Sequence, residues 1–358
     1  MSWTSREEEL LAWGATQGHI LTGGGALESR YLPGRDFTDE DLPHHLKSVS
    51  CGHTTGKSHD TFKAWVKAGR LSHVVVGAWN RPLFTGGWAE SGTQDTHVVN
   101  VQTPSLFVDL RFPLLRPTFA ASVAGFSDLS MRELRLLSRQ HTFAGYTLVD
   151  GEPPVAVRHH AIDWNYHPSF PRSRPNKWRI EASADGSSFK EWGAAVDAHG
   201  QSLYMERWSR MPGGAGPHLA MRRRATPGVP DAILCVVGNV FAYARDRPGA
   251  LPEFPGAAGG GCANLADAAW RADNRRALEE LLDLEGSTGR VAPSTTSRAW
   301  EITHSTLPWR QGALLFSGPV AVRGAVVEVG GQVWEVVDTS LSPGGVQELL
   351  QGGPAARL

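Results

Sequence analysis

Cysteine is scarce in this chain: Cys51, Cys235 and Cys262 are the three in 358 residues. They are too few and too scattered for a disulfide framework or a zinc ribbon, and they fit a reducing compartment. Cys235, within Ala232-Ile-Leu-Cys-Val-Val237, reads as a small buried hydrophobe. Long apolar runs are missing too, and a membrane span needs about 18 such residues in a row. Net charge is nearly absent, with 35 Lys and Arg against 36 Asp and Glu. No overall field therefore draws the chain to nucleic acid or acidic lipid. The one basic run, Arg222-Arg-Arg224, reads as an exposed strand end. The start, Met1-Ser-Trp-Thr-Ser-Arg-Glu-Glu-Glu9, is acidic and lacks an apolar signal core or an arginine-rich transit pattern. These absences predict a soluble, cytoplasmic protein without a nucleic-acid partner or a membrane span.

Short strand-like runs are abundant. The clearest are Ser105–Phe112, Pro154–Asn165, Asn176–Glu181 and Leu203–Trp208. Short strands separated by turn residues predict a sandwich or a barrel, and the expectation taken here is a mainly β, closed antiparallel barrel. Helices are predicted at 4–17, 61–68 and 127–137, with Ser127, Asp128 or Ser130 capping the last of these. The strongest helical pattern lies at 263–285, after a Pro/Gly/Ala-rich stretch at 246–262. The expected organisation is an N-terminal helical arm over 1–70, one barrel domain over 71–340 carrying a loop-helix insertion at 246–297, and a fraying tail over 341–358. A split near residue 115 is the alternative.

The run Leu106-Phe-Val-Asp-Leu-Arg-Phe-Pro113, followed by Phe143-Ala-Gly-Tyr146, Arg158-His-His-Ala-Ile-Asp-Trp164 and Tyr204-Met-Glu-Arg-Trp208, resembles the lipocalin-like (calycin) proteins related to the yeast protein called Hri one. The ending, Gly330-Gly-Gln-Val-Trp-Glu-Val-Val337, is similar to the closing strand of that group. The resemblance covers residues 73–338 and implies a calycin-type antiparallel barrel. It implies no catalytic set. The 246–297 stretch departs from the shorter pattern of the group, and residues 1–70 have no counterpart in it.

Gly52-His-Thr-Thr-Gly-Lys-Ser58 is one residue short of a phosphate-binding loop and lacks the strand before it. No other cofactor motif is present. His159, His160, Asp163 and His167 are metal-ligand types. In a strand, residues four apart are separated by about 13 Å. His159 and Asp163 therefore share a face but cannot share an ion without a bulge, and no metal site is expected. On that reading His160 shares its side with Ile162 and Trp164.

Two strands carry the candidate site. In Leu106–Phe112, one face is Leu106, Val108, Leu110 and Phe112, and the other is Phe107, Asp109 and Arg111. The simpler expectation puts the leucine face inward and leaves Asp109 and Arg111 as a solvated pair. The alternative turns the charged face inward, where the pair would orient a polar ligand group. In Leu203–Trp208, Tyr204, Glu206 and Trp208 share a face, expected to point inward because the opposite arrangement exposes two aromatics. Glu206 would then be a carboxylate in an apolar cavity, ionising reluctantly and suited to general acid-base work.

The chain has 13 tryptophans, which either pack a core or line a pocket for a flat or greasy ligand. The leading expectation is a barrel that binds a small, largely apolar or aromatic molecule. Its candidate contacts are Trp79, Trp88, Asp109, Arg111, Asp163, Trp164, Tyr204 and Trp208. The first alternative is a cofactor-independent isomerase, cyclase, lyase or hydrolase with His160 and Glu206 as acid and base. The second is a scaffold that docks a partner.

Overall fold

Among the described residues, sixteen short strands account for most of the regular backbone. The computed structural model describes residues 75–86, 96–113, 116, 118–138, 140–150, 155–164, 176–193, 204–249, 273–291 and 299–352. The helices expected at 4–17 and 61–68 lie outside these residues. The first eight strands are β1 (Gly77–Gly86), β2 (Thr96–Gln102), β3 (Leu106–Pro113), β4 (His141–Asp150), β5 (Val155–Asp163), β6 (Asn176–Ala182), β7 (Ser188–Gly193) and β8 (Tyr204–Arg210). Each pairs antiparallel with the next, and β1 also pairs with β8, so this sheet closes on itself.

The remaining strands are β9 (His218–Arg223), β10 (Ala232–Val237), β11 (Val240–Arg245), β12 (Glu285–Arg290), β13 (Glu301–Ser305), β14 (Val320–Arg323), β15 (Val326–Val329) and β16 (Gln332–Thr339). They form a second, open sheet in the order β13-β12-β11-β10-β9-β16-β15-β14. The single lipocalin-like barrel expected over 71–340 is corrected by this division. Strands after Arg210 do not enter the first sheet. They stack against it, with β10 and β11 lying over β2 and β3, and the molecule is a sandwich-like β protein of two eight-stranded sheets.

β10 explains the arrangement. Every residue of Ala232–Val237 is buried, as befits a strand covered on both faces. Ile233, Cys235 and Val237 join Val99, Val108 and Leu110 in the core between the sheets. Ala232, Leu234 and Val236 face a second core with Phe241, Trp300 and Trp334. Each large aliphatic side chain so enclosed contributes roughly 1.5–3 kcal/mol.

This layering inverts the expected faces of β3. Leu106, Val108, Leu110 and Phe112 point out of the closed sheet into the inter-sheet core, while Asp109 on the other face is fully buried inside it. The outer surface of β3 is dry because the second sheet covers it, so the leucine face need not point inward.

Three α-helices occur among the described residues. α1 (Met131–Leu137) is capped by Ser130, whose hydroxyl accepts from the Glu133 amide while the Glu133 carboxylate accepts from the Ser130 amide. α2 (Arg275–Leu282) is the described part of the helix expected at 263–285. It ends before Glu285, which opens β12. β12 pairs with β11 and β13, so the expected insertion contributes a strand to the second sheet. α3 (Pro343–Leu350) buries Val346, Leu349 and Leu350 where a fraying tail was expected. No described helix is long and apolar enough to cross a membrane.

Candidate functional site

The interior of the closed sheet holds three groups of side chains. Trp79, Phe189 and Trp208 fill the end where β1 begins and β8 finishes. Trp79 and Phe189 meet edge to face at 4.7 Å, Phe189 and Trp208 stack at 6.0 Å, and the Arg210 guanidinium lies 4.2 Å from the Trp79 ring. Trp79 Nε1 donates to Val75 O at 2.8 Å.

The middle of the interior is charged. Arg81, Arg111 and Arg158 face Asp109, Glu191 and Glu206. Arg111 Nε donates to Asp109 Oδ1 at 2.8 Å, and Asn100 Nδ2 donates to Asp109 Oδ2 at 3.1 Å. Arg158 lies 4.0 Å from the same carboxylate and donates through Nη2 to Glu191 Oε1 at 3.1 Å. Arg81 Nη1 donates to Glu206 Oε1 at 2.8 Å. Two guanidinium groups also lie near aromatic rings, Arg158 at 5.0 Å from Phe107 and Arg111 at 5.1 Å from Phe143. Such contacts recover part of the solvation lost by a buried cation.

Burial and neighbouring charge drive these groups apart. Burial raises the Asp109 carboxyl, but Arg111 and Arg158 outweigh it and hold the group below its ordinary value. Burial would lower Arg111, yet Asp109 and Glu206 raise it overall. Arg81 is lowered, because burial exceeds the help from Glu206. For Glu191, burial is only partly offset by Arg158, and Glu206 and Asp109 add to it, so its carboxyl is pushed up to about 7. A carboxylate of that kind holds its proton into the neutral range.

A third group lies along β4 and β5. The pairing shifts between Ala144 opposite Ile162 and Gly145 opposite His160, leaving Ala161 as an extra residue. This bulge turns His160 and Asp163, three positions apart, to the same side. His160 Nδ1 and Asp163 Oδ2 are 2.7 Å apart, and His141 Nε2 lies 3.8 Å from Asp163 Oδ1. Phe143 stacks on His160 at 4.5 Å. No group of three or more metal-ligand side chains among the described residues is arranged to hold an ion.

Asp109, Arg111, Glu206, Trp79 and Trp208 thus meet inside the closed sheet, with His160 and Asp163 on the same side of β5. Asp109 and Arg111 are not the solvated pair of the simpler expectation: the Asp109 side chain is 0% exposed and that of Arg111 is 12% exposed. Glu206 is not a carboxylate among aromatics alone, since Arg81 pairs with it. His160 does not share its side with Ile162 and Trp164. Those two pack in the core between the sheets, so Trp164 does not shape a pocket with Trp208. Trp88, His167 and the side chains of Tyr204 and His159 lie outside the described residues.

Sequence reading missed Arg81, Arg158 and Glu191. Arg81 precedes Pro82 and reads as a turn, yet β1 runs through both, with a register shift between Asn80 and Leu83. Proline tolerates such a bulge. Glu191 had a visible signal: it alternates with Phe189 in Ser188–Gly193 and so places a carboxylate on an apolar face.

No family model and no curated protein matches this chain. Among solved structures it is similar to that of an uncharacterised protein of Saccharomyces cerevisiae, YLR301w. The identity is 14%, the match covers 74% of this chain and 99% of that one, and the TM-score is 0.43.

Proposed function

We propose that the interior of the closed sheet binds a compact polar molecule, with Glu191 exchanging a proton with it. The observation that carries this reading is a set of buried polar atoms with no hydrogen-bond partner: Asn100 Oδ1, Glu191 Oε2 and Trp208 Nε1. Each such atom costs about 1–3 kcal/mol if left unmet, and native interiors contain few of them. Asn100 and Glu191 stand at the two ends of one polar chain running through Asp109 and Arg158. Trp208 follows Glu206 on the inward face of β8. Together they offer an acceptor at Asn100, a donor at Trp208, and at Glu191 a group that donates when protonated and accepts when ionised. A molecule carrying both a carbonyl or carboxyl oxygen and a hydroxyl or amine matches that set. The ligand class is therefore polar, unlike the largely apolar or aromatic one expected. The acid-base role weighed for Glu206 passes to Glu191.

A scaffold reading has its own support, because each of the three acidic side chains has an arginine partner and the far end is filled by aromatics. Native mass spectrometry of freshly purified protein separates the two readings. The binding reading expects a small retained molecule, its occupancy about tenfold lower in Trp208→Phe, as suits one lost hydrogen bond. Absence of any retained species from wild type, or equal retention by Trp208→Phe and Glu191→Gln, removes the binding reading.

A further inference from the structure

A concavity lies on the other side of the sheet wall. It is a cleft of about 610 Å³ where β2 and β3 meet β13 and the turn at 308–310, and its walls include His97, Phe112, Arg116, Phe119, His304 and Trp309. Its rings are closely set: His97 and His304 are 4.9 Å apart, and Phe112 lies 5.7 Å from His304. Arg116 is fixed from both sides. Its Nη1 donates to Ser305 O at 2.6 Å, and the guanidinium lies 5.7 Å from the rings of Phe112 and Phe119.

The charge of Arg116 is unanswered. No aspartate or glutamate lines the cleft, and Arg116 Nε and Nη2 are buried with no hydrogen-bond partner. Those two N–H groups form the parallel fork of a guanidinium that receives a carboxylate through both oxygens. Burial alone pulls the Arg116 group down to about 10, still cationic at neutral pH. Burial lowers both histidines, and His97 and Arg116 lower His304 further, so Arg116 holds the formal charge of the site at neutral pH.

We propose that this cleft is a binding site for a small aromatic carboxylate, whose ring packs among Phe112, Phe119 and Trp309 and whose carboxylate pairs with Arg116. Phe119, whose ring lies 5.7 Å from the guanidinium, stands on a segment where Thr118, Ala120 and Ala121 are exposed, and its side chain must move for the fork to be reached. The site is separate from the interior of the closed sheet and depends on none of its residues.

Benzoate is the probe, with benzamide as its neutral counterpart of equal shape. Isothermal titration of the full chain is expected to give one benzoate site saturating at millimolar concentration or below, with benzamide at least about tenfold weaker. Arg116→Lys keeps the charge but loses the fork, and should weaken benzoate at least about tenfold. Ala121→Trp fills the cleft from an exposed position and leaves the Arg116 residue in place, and should abolish binding while leaving the unfolding midpoint unchanged. No saturation by benzoate at about 10 mM, equal binding of benzamide, or undiminished binding to folded Ala121→Trp overturns the assignment.

Discussion

Glu191 on β7 and Glu206 on β8 stand directly opposite each other inside the closed sheet. The Glu206 charge adds to the burial that opposes ionisation of Glu191. Arg81 takes Glu206 and Arg158 takes Glu191, but burial still pushes the Glu191 carboxyl from 4.5 up to about 7. The folded state therefore holds a proton that the unfolded chain releases at lower pH. The stability from this group is complete below about pH 4.5 and is lost as pH rises through about 7. A gap of that size corresponds to about 3 kcal/mol. Urea midpoints measured across this interval should fall with rising pH in wild type, and Glu191→Gln should remove most of the fall. Asp109 acts in a separate window. Its carboxyl is held below 3.8, so its stabilisation is lost only as pH drops through that lower range. A wild-type midpoint that is flat or rising from about pH 4.5 to about pH 7 would exclude Glu191 as the titrating group.

The local chemistry of the first sheet was legible and its surroundings were not. The alternation of Leu106–Phe112 marks a strand with one apolar and one charged face, and β3 is that strand. Which face turns inward depends on Ile233, Cys235 and Val237, more than 100 positions away, and no local pattern reports them. The His160–Asp163 pair was hidden for a different reason. A period of two holds only while the ladder is regular, and the extra Ala161 shifts it by one. β12, Glu285-Gly-Ser-Thr-Gly-Arg290, has the composition of a loop, yet its first five residues are buried. Its glycines are there for closeness of approach.

Gly286 makes that closeness testable. A Cβ at this position would overlap Thr142 Oγ1 on β4 and come within 2.7 Å of Leu110 Cδ2 on β3. Both neighbours are fully buried and cannot swing aside. Gly286→Ala should cost about 1–3 kcal/mol through overpacking where the two sheets meet. Thr142→Ala removes two of the three crowded atoms, so the double variant should recover part of the loss, with a coupling of about 0.5–3 kcal/mol. Additive effects in the denaturation midpoints would mean that β12 does not press on β4.

Leu349 tests the other end of the molecule. The C-terminal segment is rich in glycine and reads as a tail, and Gly344 and Gly345 in its first turn weaken any intrinsic helix. Packing must therefore supply what propensity does not. Ser342 caps α3 by accepting from the Gly345 amide at 3.1 Å, and Pro343 occupies the first turn, where a missing amide proton costs nothing. Leu349 then enters the core that holds Trp300 and Trp334, and the Trp300 indole donates to its carbonyl at 3.3 Å. Truncating a leucine so enclosed leaves a cavity as well as losing transfer energy, so Leu349→Ala should cost about 2–5 kcal/mol. The neighbouring Glu348 is exposed, and Glu348→Ala should stay within about 0.5 kcal/mol of wild type. A fraying tail makes the opposite forecast, with both substitutions equally mild. Urea unfolding of the two variants side by side decides between a docked helix that closes the second core and a segment that merely follows it.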